Sequence, residues 1–391
     1  MQSTVSISRF MLAAISCLSP FGVSVMAPLI PLLAQSLDGD VRQLQYLISA
    51  YVLGLALTQP FVGLISDHWG RRPVLLLGFG IFVLASIALA APLSLPWMVG
   101  LRFVQAMGVS VGTVVARGII RDVLPASEAL KAFALISAAM GFSPIVAPVV
   151  AGMLAAKFGV STVFILLSGL GFVMLVWAWL KIPETRRKDD QVSSIGEALT
   201  GYTEILKNSR FWGFAGAYGC LQGLFFAFLG VGATLFLDAF GISIAGFSVI
   251  WSGLAGIYIL GSVVLHKLPL LSTPDSQTVI VYVLLLLSLG APLVVHWQGL
   301  TLWTLIIPLG SLMFISGLLT PLAMLGAVNV IPKWTGTAAG LSSAIGMGAA
   351  AIFTFIGASV YTVSAEGLMW VVSASGLGVW LCWQVAHKGV E

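Results

Sequence analysis

Apolar residues run along this chain in blocks of about twenty, the length that crosses ~30 Å of hydrocarbon at ~1.5 Å per helical residue. The blocks fall near residues 9–34, 43–66, 73–91, 95–117, 128–156 and 160–182, then near 211–237, 246–266, 278–296, 300–328, 335–360 and 366–386. None shows the strict alternation of a membrane β-strand, and in hydrocarbon only a helix satisfies its own backbone within one segment. Between the two sets of six lies the one long polar stretch, Pro183 to Arg210. Within it Ile195, Leu199, Tyr202, Ile205 and Leu206 recur at helical spacing behind a Ser194/Glu197 capping pair. That spacing predicts a short amphipathic helix on the membrane surface. The whole pattern predicts an all-α membrane protein of twelve transmembrane helices in two six-helix bundles. The N-terminal bundle spans 1–182, a cytoplasmic linker 183–210, and the C-terminal bundle 211–391.

Composition narrows the picture further. Of 391 residues 59% are apolar and only 8% charged, against about 25% charged in a soluble domain. Such a chain cannot clothe a water-facing surface. Its 43 glycines suit helices that pack closely in lipid. A net charge of +4 raises nucleic acid as a partner, but the cations sit in short loops between apolar blocks, where they set topology instead. Of the 18 Lys and Arg, Arg42 and Lys157 follow odd-numbered spans and Arg102 lies inside span four; the others follow even-numbered spans or flank the termini. The positive-inside bias therefore places both termini and the linker in the cytoplasm of a multi-pass inner (plasma) membrane protein. The N-terminal apolar run continues past Pro20 and Pro28 to about Ala34 without a small-residue cleavage site, so it reads as a retained first span. Cys17, Cys220 and Cys382 fall in separate spans with no metal spacing and read as packing filler. With no nucleotide-binding loop and no His/Asp/Glu cluster, neither an enzyme nor a cofactor is expected.

Three strings carry chemistry. After span two the chain reads Gly63-Leu-Ile-Ser-Asp67-His-Trp-Gly70-Arg71-Arg72-Pro73. Gly70 relieves a tight turn, Pro73 suits the first turn of the next helix, and Gly63 lets a neighbour approach. Asp67 and Arg71 offer a charge pair able to hold the cytoplasmic side shut, with Arg121-Asp122 at the inner end of span four as further partners. Span four carries Arg102-x-x-Gln105-x-x-Gly108, about 10 Å inside its start. An intramembrane arginine costs a few kcal/mol, so Arg102 should face a cavity or partner, snorkelling to the outer headgroups being the other option. Gln105 and Thr113 share its helix face. Span five reads Ser143-Pro144-Ile-Val-Ala147-Pro148, then Gly152; two prolines four apart bend a helix, and the small residues let its neighbour pack against the bend.

The loop after span two resembles the signature loop of the major facilitator superfamily, Gly-x-x-x-Asp-x-x-Gly-Arg-[Lys/Arg]. Span four resembles that superfamily's second motif, and span five resembles its antiporter motif in part, with alanine at two glycine sites. Gln45, Tyr51, Gly54, Ala56, Gln59, the Gly-Arg-Arg-Pro-Val run, Arg121-Asp122, Pro183-Glu184-Thr185 and Gly336-Thr-Ala-Ala-Gly340-Leu are similar to the Bcr/CflA drug-efflux family. The resemblance implies proton-driven export of drug-like molecules by alternating access. Where that family carries an acidic residue in span one, this chain has Ser24, and none of its 14 acidic residues is placed deep within a span. The coupling proton thus rests on the resemblance alone. Substrate-cavity candidates are Arg102, Gln105, Gln59, Ser24, Thr113, Tyr218, Gln222 and Tyr258. A cavity whose one deep charge is Arg102 should disfavour organic cations. The expected partners are a small-molecule substrate, protons and membrane lipid, and the expected state is a monomer; an importer or facilitator of a metabolite on the same fold is the alternative.

Overall fold

The computed structural model describes residues 8–37, 44, 46–186, 195–242, 244–361 and 365–388. Its first span is made of two helices, α1 (Arg9–Ser24) and α2 (Met26–Leu37), which meet at a turn on Val25. Pro28 lacks the N–H that Ser24's carbonyl would accept, so the ladder opens there. Spans two to six are α3 (Tyr46–Trp69), α4 (Arg71–Leu89), α5 (Leu95–Val123), α6 (Ala126–Phe158) and α7 (Val160–Lys181). The linker helix is α8 (Ile195–Lys207). Spans seven to twelve are α9 (Ser209–Phe240), α10 (Ile244–Lys267), α11 (Pro274–Gln298), α12 (Leu302–Val328), α13 (Thr335–Tyr361) and α14 (Ala365–His387). Among the described residues 11 helices are long and apolar enough to cross a membrane, and α1 adds a shorter apolar helix. The result is the all-α, twelve-span architecture the apolar blocks predict.

Short glycine turns join neighbouring helices: Gly70 at φ 97° between α3 and α4, Gly159 at φ 86° between α6 and α7, and Gly299 at φ 79° between α11 and α12. A side chain is strained at such angles, and glycine is not. Helix α6 stays unbroken through Pro144 and Pro148. Helix α5 runs further than its apolar block, because no breaker intervenes until Pro125, which holds Leu124 extended at φ −108°, ψ 140°. Arg117, expected in a cytoplasmic loop, therefore sits inside a helix and is 4% exposed. The Ser194/Glu197 capping pair lies outside the residues whose side chains are described.

The chain forms two compact units. The first comprises Met1–Pro125, Phe142–Thr203 and Ile331–Ala344; the second comprises Ala126–Gly141, Glu204–Val330 and Ile345–Glu391. In the first, α5 packs on α1, α3 and α4, and α4 on α7; in the second, α9 packs on α12 and α14, with α10 and α11 against α12. Two helices change unit part-way along, α6 after Gly141 and α13 after Ala344.

Candidate functional site

The loop after span two folds into a buried ionic cluster in the first unit. Asp67 lies in the last turn of α3 and Arg71 opens α4, so the Gly70 turn brings them together at 2.8 Å with neither side chain exposed. Arg71 has a partner for every guanidinium nitrogen. Its Nε donates to Asp122 Oδ2 at 2.9 Å, Nη1 to Ser66 Oγ at 2.7 Å and Nη2 to Thr335 Oγ1 at 2.9 Å. Asp67 also caps the head of α13: Oδ2 accepts from Thr337 N–H and Thr337 Oγ1, both at 2.7 Å, and Oδ1 from Gly336 N–H at 3.2 Å. Those N–H groups are the orphan donors of a helix start, where a negative charge also meets the favourable end of the helix dipole. Taking two charges out of water costs several kcal/mol each, and this density of hydrogen bonds is what makes burial affordable.

Glycines bring the backbones close enough for this. A Cβ at Gly63 would run into the carbonyl of Gly336, and one at Gly336 into Arg71 and Asp67. A Cβ at Gly70 would meet the Glu184 carboxylate. That carboxylate caps α4 from a distance, accepting from Arg71 N–H at 2.9 Å, Arg72 N–H at 3.1 Å and Arg186 N–H at 2.9 Å. Arg186, 6% exposed, donates to the carbonyl of Lys333 at 2.6 Å and lies 3.8 Å from Asp67. Arg72 reaches the Trp179 carbonyl at 2.9 Å instead of an acid. Arg121 stays outside the cluster, its buried Nε without a hydrogen-bond partner. One further helix comes close: Tyr202 on α8 has a buried, unpartnered hydroxyl, and burial first, then the charge of Asp67, raise its phenol above the ordinary tyrosine range. Sequence spacing pairs Asp67 with Arg71 and nominates Asp122. It does not reveal Thr335 and Thr337, whose hydroxyls reach the cluster from α13, nor the parts played by Ser66, next to Asp67 on α3, and by Arg186.

Arg102 forms a second buried cluster in the same unit. It is fully buried, with Nη1 on Gln105 Oε1, Nη2 on the Gly22 carbonyl at 2.9 Å and Nε on the Leu47 carbonyl at 3.4 Å. Its guanidinium carbon stands 4.1 Å from the centre of the Tyr51 ring. Gln105 passes the chain on to Ser86 Oγ at 2.7 Å. Arg102 thus meets partners on α1, α3 and α5 rather than snorkelling. Fifteen residues on, Arg117 donates to Ser343 Oγ on α13.

The sequence profile of the Major Facilitator Superfamily matches residues 12–382. The chain belongs to that superfamily. It is 29% identical over 399 residues to Multidrug resistance protein D of Escherichia coli (strain K12), covering 97% of this chain and 96% of that one. It is 23% identical over 374 residues to the Bicyclomycin resistance protein homolog of Haemophilus influenzae, covering 95% and 94%. The resemblance to the Bcr/CflA branch holds on these relatives. The crystal structure of the human organic anion transporter MFSD10 (TETRAN) aligns with a TM-score of 0.80 over 97% of this chain and 98% of that one; at 17% identity it carries the fold alone.

In this major facilitator the remaining candidates are dispersed. Ser24 bonds back to the Pro20 carbonyl at 2.9 Å, and Thr113, though on the Arg102 face, bonds back to Ser110 at 3.1 Å. Gln59 is buried with its Oε1 unpartnered. In span five, Ser143 donates to the Cys17 carbonyl at 3.2 Å, Ala147 is buried, Pro144 and Pro148 are half-buried, and Gly152 lies in ordinary contact with Pro28. In the second unit Tyr218 packs against Gly346, Tyr258 against Gly141 and, at 6.1 Å between centroids, Phe225, while Gln222 is half-buried.

Proposed function

We propose that this transporter exports small drug-like molecules by alternating access, with the Asp67–Arg71–Asp122 cluster as its cytoplasmic gate. The observation that carries the reading is the capping of α13 by Asp67: a carboxylate with no exposure holds the first N–H groups of a helix nearly 270 residues away in sequence. Separating them would strand a buried charge and reopen orphan donors, so opening the cluster carries a cost of the kind a gate needs. The names of the Escherichia coli and Haemophilus influenzae relatives, over nearly their full length, support drugs as cargo. Asp67, Arg71, Arg72, Asp122, Gly63 and Gly70 act in gating, with Arg121 in reserve at the same helix end. Arg102 and Gln105, with Gln59, Ser24, Thr113, Tyr218, Gln222 and Tyr258, remain the cavity candidates, and Pro144 and Pro148, each of which removes a ladder hydrogen bond, let α6 tilt. The termini and linker lie in the cytoplasm, the transporter works as a monomer, and protons drive it. Among the described residues Asp67 is the one buried acid, which makes the gate itself the place where a coupling proton would act.

A second reading, a metabolite importer or facilitator, is favoured by the absence of a carboxylate in mid-span among the described residues. The test is drug susceptibility and accumulation in an efflux-deficient bacterium carrying wild type or Asp67→Asn, with and without a protonophore. Protection that both the variant and the protonophore abolish supports proton-driven export. Wild type that protects against no compound overturns export and leaves the metabolite carrier; protection that survives the protonophore overturns the proton.

A further inference from the structure

Cys220 on α9 and Cys382 on α14 lie 162 positions apart in sequence and meet at the seam between those helices. The seam is built reciprocally. A Cβ at Gly216 would meet the Cys382 sulfur at 2.7 Å, and one at Gly378 would meet the Cys220 sulfur at 2.6 Å. Each helix thus carries Gly-x-x-x-Cys, and each thiol occupies the notch left by the other helix's glycine. Ser375 Oγ donates to the Cys220 carbonyl alongside and fixes the seam there. Both cysteines are free and neither is fully buried. A cleft of about 610 Å³ opens on the seam at Gly216 and Cys382, and Trp212, Tyr282 and Trp380 also line it.

We propose that Cys220 and Cys382 form a dithiol site for thiophilic metals and metalloids, with the aromatic cleft as the entrance for species carrying an aryl group. Thiols select soft centres, and two set reciprocally into one helix seam can share one such centre. An aryl arsenoxide reacts without redox change. Two arsenic–sulfur bonds form, the arsenic–oxygen bond breaks, and the oxygen leaves as water with the two thiol protons. The product staples span seven to span twelve. Chelation adds effective concentration, so a two-point adduct should outlast a one-point adduct by roughly a hundredfold or more.

Phenylarsine oxide added to the purified, folded transporter tests this by intact mass. The expected result is one arsenical per wild-type chain, resistant to a monothiol such as mercaptoethanol and released by a dithiol such as dimercaptopropanol. Cys220→Ala and Cys382→Ala should each lose the monothiol resistance while Cys17→Ala keeps it, with melting temperature confirming that the variants fold. An adduct that the monothiol strips from wild type as fast as from Cys220→Ala overturns the proposal, and so does the absence of any adduct on folded wild type. Neither outcome bears on drug export.

Discussion

Arg102 shows what a single side chain can hold together. Three acceptors on different helices and one aromatic face surround its guanidinium, and only a planar fork of donors reaches all of them. Lysine carries its charge on one atom and cannot span them. Arg102→Lys should therefore cost about 2–3 kcal/mol through a lost charge-assisted hydrogen bond and weaker stacking. Tyr51→Phe keeps the ring and loses only the hydroxyl's bond to the Ser19 carbonyl, about 1 kcal/mol. Melting of the purified transporter in detergent should rank wild type, Tyr51→Phe, then Arg102→Lys; a lysine variant as stable as wild type would show that the network contributes nothing. Part of this was legible in the sequence. The i,i+3 spacing places Gln105 beside Arg102, and the cost of an intramembrane charge demands partners. Gly22, Leu47 and Tyr51 were not legible, because helical periodicity orders neighbours along a helix and says nothing of neighbours across one. Thr113 shares the face without joining the network, since its hydroxyl finds a closer acceptor in its own helix.

At the scale of elements, the apolar spacing predicts α8 as a helix but not as a neighbour of the Asp67–Arg71 cluster. Its apolar spacing explains why it forms and leaves open what it touches. Gly201 supplies the answer, since a glycine inside a helix costs roughly 0.5–1 kcal/mol relative to alanine. A Cβ there would meet the indole of Trp334, which is 1% exposed in the one-turn 3-10 helix Pro332–Trp334 just ahead of α13. The glycine thus seats α8 under the segment that Asp67 caps, while Arg186 ties the chain after span six to Lys333 in the same segment. Gly201→Leu should push Trp334 aside and loosen the linker. Limited proteolysis between residues 183 and 210 should speed up and transport should fall, with Gly201→Ala intermediate. Unchanged cleavage together with unchanged transport would mean that the contact is incidental. The same reasoning separates Tyr202: its hydroxyl is buried and unpaired, so Tyr202→Phe should leave stability unchanged or raise it slightly.

For the whole molecule, the twelve spans were legible because hydrocarbon leaves the backbone so few options, and along span eleven small residues recur every four positions as a stripe of Gly336, Gly340, Ala344 and Gly348. What spacing could not distinguish is which of these residues lies at a close approach. A Cβ at Gly340 would strike the carbonyls of Gln59 and Pro60 on α3, whereas one at Gly348 would meet nothing within 4 Å. The division between the units falls between them, after Ala344, so Gly336, Gly340 and Ala344 belong to the unit of the Asp67 cluster and Gly348 does not. Two substitutions of the same chemistry, eight residues apart on one helix, therefore separate gating from lipid insertion. Gly340→Leu lifts the head of α13 off α3 and withdraws the Gly336 and Thr337 donors from Asp67, leaving a buried carboxylate short of partners, a loss on the order of 3–5 kcal/mol. Expression and membrane insertion should persist, because leucine is more apolar than glycine, while drug accumulation rises toward that of cells without the transporter. Gly348→Leu should transport within about twofold of wild type, since the added side chain enters open space at a half-buried position, and a change away from packed features stays within about ±0.5 kcal/mol. Equal loss in both variants would point to a general intolerance of bulk along α13, and full transport by Gly340→Leu would remove the seating of α13 on α3 from the transport cycle.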